Sequence, residues 1–244
     1  MENFGFKQVA STVKTSLVQD VFNAVADRYD CMNDLMSLGL HRLWKETAVN
    51  KLEIRPHHRI LDLATGTGDL SAKIDRKLDA KQGGFVVPCD PNFNMMQVGQ
   101  FKLLDQGIAG LDWTQSYAES LPFASETFHS VIIAFGFRNV TDKPLALKEI
   151  YRVLKPGGKL LILELFAYKG RFEPLYKFYT LTILPQLGKM ITQDEASYRY
   201  LAESIQTFMS PDQLLKHLEQ AGFKRSKAQS LSFGLVYIHA AYKI

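Results

Sequence analysis

The chain has 244 residues, 46% of them hydrophobic and 22% charged, with a formal net charge of +4. That is enough apolar material for one domain with a large core, and the charge is too mild and too dispersed to mark a nucleic-acid binder. Cys31 and Cys89 are too few for a disulfide framework, so a reducing, cytoplasmic setting is expected. The polar segment Met1 to Thr15 has no signal-peptide core. Glu173, Lys177, Pro185 and Lys189 interrupt the apolar stretch Phe172 to Ile191, and a spanning helix needs roughly 20 nearly uncharged residues.

In chain order, Val18, Val21, Phe22, Val25 and Ala26 recur at helical spacing, which predicts a helix over about Gln19 to Tyr29, and a second runs from Leu43 to Lys51. Arg59 to Ala64 reads as a buried strand ending at glycines, followed by a helix over Asp69 to Leu78. Phe85 to Cys89 is the next strand, although Pro88 removes a ladder donor. Asn92 to Leu104 is a helix, Leu111 to Gln115 a strand, Ser130 to Phe135 a buried strand and Lys143 to Leu154 a helix. Lys155-Pro-Gly-Gly158 breaks the chain before the buried strand Lys159 to Glu164. Ser210 with Gln213 begins a capped helix that stops at Gly222, and Ala228 to Phe233 pairs with Leu235 to Tyr242 as a hairpin. Alternating strands and helices predict an α/β fold with a mostly parallel sheet and helices on both faces. The whole chain, 1–244, reads as one domain. Residues 1–55 form a helical lid over it, and 166–209 are a substrate-side insertion.

Ligands of open α/β sheets bind at the carboxyl ends of the strands. Three features gather there. In Thr65-Gly-Thr-Gly68, Gly66 and Gly68 let backbone amides approach a ligand beside a helix N-terminus. Asp90 closes the second strand, where a carboxylate accepts both ribose hydroxyl protons. Tyr117-Ala118-Glu119 follows the third, where an adenine ring would lie. A nicotinamide fold shares this spacing. Ser71 in place of a third glycine, and Asp62 on the strand before the turn, favour a nucleoside-methionine ligand instead.

The run Ile60-Leu-Asp-Leu-Ala-Thr-Gly-Thr-Gly-Asp-Leu70 resembles the first motif of class I methyltransferases, whose sheet is Rossmann-like and seven-stranded with a C-terminal antiparallel hairpin. Tyr29 to Lys45, Phe135-Gly-Phe-Arg-Asn-Val-Thr-Asp142, Tyr151 to Gly158 and Ser197 to Ser204 are narrower. Together they are similar to the bacterial ubiquinone/menaquinone biosynthesis C-methyltransferase family, over a span from about Phe22 to the C-terminus. The resemblance implies S-adenosylmethionine (SAM) as cofactor, no metal, and contacts at Thr67, Asp90, Tyr117, Ala118 and Ala134. The chain departs from the family at Tyr117, where a smaller Asp or Asn is usual, and at Ala134, where serine is common. Ala64-Thr65 likewise replaces a glycine-containing pair. The implied reaction is C-methylation of a polyprenylated hydroquinone, a 2-polyprenyl-6-methoxy-1,4-benzoquinol, a demethylmenaquinol or both. The expected partners extend to a homodimer, a quinone-biosynthesis complex and peripheral contact with the inner face of the membrane.

Such chemistry needs a base for a ring hydroxyl and a donor for the phenolate. Arg138, positioned by Asn139, is the candidate phenolate stabiliser or water-orienting group; the competing readings are a solvated loop arginine or a partner of Asp142. Among Tyr29, Asp30, Asn33, His41, Arg42, Trp44 and Lys45, Trp44 reads as a core anchor and Arg42 as a surface charge. Tyr29 and Asp30 read as lid groups, and His41 is the histidine best suited as base. His57-His58 reads as a loop. Phe166, Phe172, Tyr176, Phe178, Tyr179, Leu181 and Ile183 line a groove for the polyprenyl tail or else are plain core. Lys169, Arg171 and Lys177 among them suggest the membrane contact.

Overall fold

The computed structural model describes the backbone of residues 1–244 and every side chain except that of Thr192. The chain begins with a small antiparallel hairpin, β1 (Glu2–Phe4) and β2 (Lys7–Val9), then α1 (Ser11–Val25), α2 (Tyr29–Ser37) and α3 (His41–Lys51). The sheet is then built by β3 (Arg59–Leu63), α4 (Asp69–Asp75), β4 (Phe85–Asp90), α5 (Phe93–Asp105), β5 (Thr114–Gln115), β6 (Phe128–Ala134), α6 (Lys143–Val153) and β7 (Leu154–Leu165). Helices α7 (Glu173–Phe178), α8 (Leu184–Thr192), α9 (Glu195–Thr207) and α10 (Pro211–Gln220) precede the closing strands β8 (Lys224–Leu231) and β9 (Val236–Tyr242).

Seven strands form one sheet in the order β5-β4-β3-β6-β7-β9-β8. The five from β5 to β7 are parallel, and β9 runs antiparallel to both β7 and β8. The chain leaves β3 toward β4 and β5, then returns to its other side at β6. That reversal opens a crevice at the carboxyl ends of β3 and β6. Successive residues of a strand face opposite ways, so β3 feeds two cores. Leu61 and Leu63 pack with Ala146, Leu147 and Ile150 of α6 and with Leu214 and Leu218 of α10. Ile60 packs with Trp44, Ala48 and Val49 of α3 and with Leu70 and Ile74 of α4. Both faces are covered, which is why the central strands read as unbroken apolar runs.

Several helices start where a side chain satisfies an orphan amide. Asn92 Oδ1 accepts from Met95 N at 2.9 Å and Asp142 Oδ1 from Leu145 N at 2.9 Å. Ser210 and Gln213 complete the expected capping box, at 2.7 and 3.2 Å. Pro88 fits inside the sheet because β5 is two residues long and pairs only with Cys89 and Asp90, so β4 is an edge beside the proline.

The sequence-based reading departs most from the structure in three places. The first helix starts at Ser11 and is cut at Ala26–Arg28 by a 3-10 turn, so its expected end at Tyr29 is the start of α2. The polar N-terminus pairs as a hairpin, and Phe4 stacks on Tyr200 at 4.4 Å. The expected break at Lys155–Gly158 is a register shift within a continuous β7. Among the described residues, no helix is long and apolar enough to cross a membrane.

Candidate active site

A cleft of about 810 Å³, measured to its open mouth, lies at the switch point. Its floor is formed by the strand ends at Leu63, Ala64, Asp90 and Ala134, and its roof by Thr15, Val18, Gln19 and Phe22 of α1 with Tyr29 of α2. Gly66 has a φ of +58°, and a Cβ there would stand 3.2 Å from Met95 Cε and 3.7 Å from the Tyr29 ring. A side chain would therefore fill the floor that a ligand needs.

Asp90 is the one carboxylate at the bottom of this cleft that backbone amides grip on both oxygens. Oδ2 accepts from Gly66 N and Oδ1 from Asn92 N, both at 2.8 Å. Burial pushes its pKa up to about 6, against the pull of those two amides. Each oxygen keeps a second lone pair for a hydroxyl. Tyr117, Ala118 and Glu119 line one wall; the Tyr117 side chain is half exposed, and Glu119 Oε1 is engaged by the amides of Thr141 and Asp142. Volume, an apolar lining and a gripped buried carboxylate fit a nucleoside-methionine ligand such as SAM.

Three residues expected among the donor contacts stand behind the cleft rather than in it. Asp62 is fully buried and braces the turn: its Oδ2 accepts from Thr65 Oγ1 and Ser71 Oγ, both at 2.6 Å. Burial pushes its pKa up to about 6. Ser71, read as a lost third glycine, thus has a positive use. Gly68 is required by packing, because a Cβ would stand 2.8 Å from the Trp113 ring. Thr67 is buried with its hydroxyl 3.4 Å from Asp30 Oδ1.

Helices α2 and α3 are tied to this turn by charge. Lys45 Nζ on α3 donates to Asp69 Oδ2 at 2.8 Å, and Lys102 Nζ on α5 bridges Asp69 (2.6 Å) and Asp30 (2.5 Å). Burial alone would raise the Asp69 pKa, but the two ammonium groups hold its carboxyl well below the usual range. Asp30, read from the sequence as a lid group, is thereby tied through Lys102 to α5 and the turn.

A second cavity of about 350 Å³ adjoins the cleft, sharing Phe22, Tyr29 and Phe135 with it. Asn33, His41, Trp44 and Arg138 are in its wall, so three of the four expected catalytic residues, Tyr29, His41 and Arg138, line one cavity, and Asn139 does not. The Asn33 amide Nδ2 is buried beside the Tyr29 phenol and makes no hydrogen bond of good geometry among the described residues. His41 Nδ1 lies 2.9 Å from Ser37 Oγ. Burial, then Lys45, lowers the His41 pKa, so its ring is neutral at pH 7. Burial raises the Tyr29 pKa and keeps that phenol protonated. Trp44 is the core anchor expected, edge-on to Phe135, and Arg42 the surface charge, paired with Asp34.

Arg138 requires a correction. It is neither solvated nor paired with Asp142, which caps α6. Its guanidinium is buried, donating from Nη1 to Glu164 Oε1 (2.7 Å) and to the Phe135 carbonyl, and from Nε to Ser204 Oγ (3.2 Å). Glu164 also accepts the backbone amides of Arg138 and Leu165. The cation is thus largely neutralised before any substrate arrives. Asn139 does not position it: Asn139 lines the first cleft and its Oδ1 accepts from Tyr200 OH at 2.9 Å. Glu164, the true partner, was missed because the pair joins the end of β7 to the turn after β6.

Of the aromatic run read as groove or core, Phe166 is core, packed on Phe208 and Tyr237. Phe172, Tyr176, Phe178, Tyr179 and Ile183 do line an open apolar groove of about 1250 Å³, which Phe233 completes and Leu181 does not join.

A mostly parallel sheet in this order, closed by an antiparallel hairpin and with its gripped carboxylate at the switch point, defines a class I methyltransferase fold. A SAM-dependent methyltransferase from Thermotoga maritima superposes with a TM-score of 0.66 at 18% identity, covering 92% of this chain and 99% of that one. Phosphoethanolamine N-methyltransferase 2 of Haemonchus contortus, solved in complex with S-adenosyl-L-methionine, superposes with a TM-score of 0.60 at 15% identity, over 82% and 52% of the two chains. Sequence narrows this further: the model of the ubiE/COQ5 methyltransferase family matches residues 9–243, and the chain belongs to that family of methyltransferases. A Haemophilus ducreyi relative, the ubiquinone/menaquinone biosynthesis C-methyltransferase UbiE, is 49% identical over 99% of this chain and 93% of its own length.

Proposed function

We propose that the protein uses SAM to methylate a ring carbon of a polyprenylated hydroquinone; its relatives are named ubiquinone/menaquinone biosynthesis C-methyltransferases. The observation that carries this reading is the pair of joined cavities, one with the Asp90 and Gly66 floor and the other with Asn33 and His41. In it, Asp90 accepts the ribose hydroxyls and the amides near Gly66 hold the polar end of SAM. SAM, when bound, supplies an electrophilic methyl group on a sulfonium. The shared wall of Phe22, Tyr29 and Phe135 aligns the two ligands and excludes water, and alignment is the main contribution such a reaction needs.

The ring occupies the smaller cavity. Neutral His41 takes the proton of a ring hydroxyl, directly or through a water, making the ring carbon nucleophilic. Asn33 Nδ2, buried beside the Tyr29 phenol, donates to the resulting oxygen. Arg138, neutralised by Glu164, acts as a positioning residue for the Phe135 turn. Residues 1–55 serve as the lid, and the apolar groove of 166–209 takes the isoprenoid tail at a membrane surface.

Supplying SAM with a short-chain benzoquinol or naphthoquinol tests this reading. Release of S-adenosylhomocysteine that depends on the quinol supports it; release at the same slow rate with and without quinol rejects it.

A further inference from the structure

The opposite, amino-terminal edge of the sheet carries a second polar cleft, about 950 Å³ in volume. Arg55, His58, His129, Lys155 and Lys159 line it, and its one acidic lining residue, Glu53, is already bound by Lys159 at 2.9 Å. His129 Nδ1 accepts the backbone N–H of Arg59 at 2.9 Å. The proton of a neutral ring must then sit on Nε2. That atom is 3.1 Å from Lys155 Nζ, so donor faces donor. His58 repeats the pattern, accepting the Arg55 N–H on Nδ1 at 3.3 Å, and its ring stacks on His129 at 4.9 Å and 11°.

We propose that this cleft is an oxyanion site for a phosphate-class dianion, separate from the methyl-transfer cavities. Acceptor-only oxygens relieve the donor conflict by taking hydrogen bonds from His129 Nε2 and Lys155 Nζ together. The titratable groups facing His129, namely Lys155, His58, His57 and Arg59, are all basic, and burial together with them pushes its pKa down to about 4. A metal is the poorer occupant, because both Nδ1 atoms are engaged. Among the described residues, no group of three His, Cys, Asp or Glu side chains has metal-holding geometry. The phosphate is either free or the headgroup of an acidic lipid.

The test is histidine-ring NMR of the full chain during titration with inorganic phosphate, against sodium chloride at matched ionic strength. A saturable response at His129 and His58, with the His129 titration midpoint moving up, is expected. Lys155→Gln should weaken the phosphate response at least tenfold, and Lys155→Glu should abolish it while raising the His129 midpoint without phosphate. Both variants should keep the parent rate of methyl transfer. Vesicles of phosphatidic acid, compared with phosphatidylcholine, distinguish the sources: displacement of phosphate marks a headgroup site, and no displacement marks a free-phosphate site. A phosphate response equal to that of chloride, or one unchanged in Lys155→Gln, overturns the proposal.

Discussion

Replacing Arg138 by methionine separates a buried brace from a catalytic cation. The change leaves the Glu164 carboxylate, which has no solvent exposure, with only the backbone amides of Arg138 (3.1 Å) and Leu165 (2.9 Å). Breaking one partner of such a pair costs about 3–5 kcal/mol. For a chain of this size that lowers the melting temperature by roughly 6–20 °C. A surface arginine, by contrast, changes stability by about 0.5 kcal/mol or less, a shift of at most ~2 °C. Calorimetric melting reads the difference. The double variant Arg138→Met/Glu164→Leu removes both charges and should recover most of the loss. Turnover that stays low in that stable double variant would locate Arg138 in the chemistry as well. A single variant melting within ~2 °C of the parent would refute the buried-brace reasoning.

Asp90→Ala removes the buried acceptor of the cleft and should weaken SAM binding by about 5–150-fold, from the 1–3 kcal/mol of an unmet buried polar group. Calorimetry showing affinity within twofold of the parent contradicts its role. Gly136→Ala places a Cβ 2.5 Å from Ala64 Cβ, where carbons pack no closer than about 3.5 Å, so the ends of β3 and β6 must part. The expected cost is about 1–3 kcal/mol, with weaker SAM binding. Adding Ala64→Gly should restore both, since it removes the opposing methyl and Ala64 sits at a φ of +56°; a double variant no better than the single one rules out this contact. Asp62, with its pKa raised to about 6, stabilises the fold when protonated: that contribution is complete below about 4 and is lost as pH rises through 6. Asp62→Asn should therefore flatten the fall in stability between pH 4 and 6 relative to the parent, measured by urea unfolding across that range, and parallel curves would exclude the shift.

The sheet was legible because its signals are local. Apolar runs such as Ile60–Leu63 and Val131–Ile133, and the glycines that end the first of them, show in a few residues each. Asp90 was legible for the same reason, as the acid closing a strand. The rest depends on pairings between distant residues. Arg138 and Glu164 are 26 positions apart and meet only because β6 and β7 are neighbours. Lys45, Asp69, Lys102 and Asp30 come from four helices, so their network has no sequence period. The glycine turn shows the limit within one motif: Gly66 faces the cleft while Gly68 and Asp62 serve packing and bracing, and composition alone could not divide those duties. The N-terminal hairpin was missed because three-residue polar strands carry almost no pattern.

The most direct test of the proposed reaction uses SAM labelled with carbon-13 on its methyl group and a short-chain, ring-demethylated quinol. Carbon NMR of the extracted product should show the label as a methyl bonded to a ring carbon, its amount equal to the S-adenosylhomocysteine released. Label found on a ring oxygen, or no label in the quinol despite measured SAM binding, would contradict C-methylation of a hydroquinone by this protein.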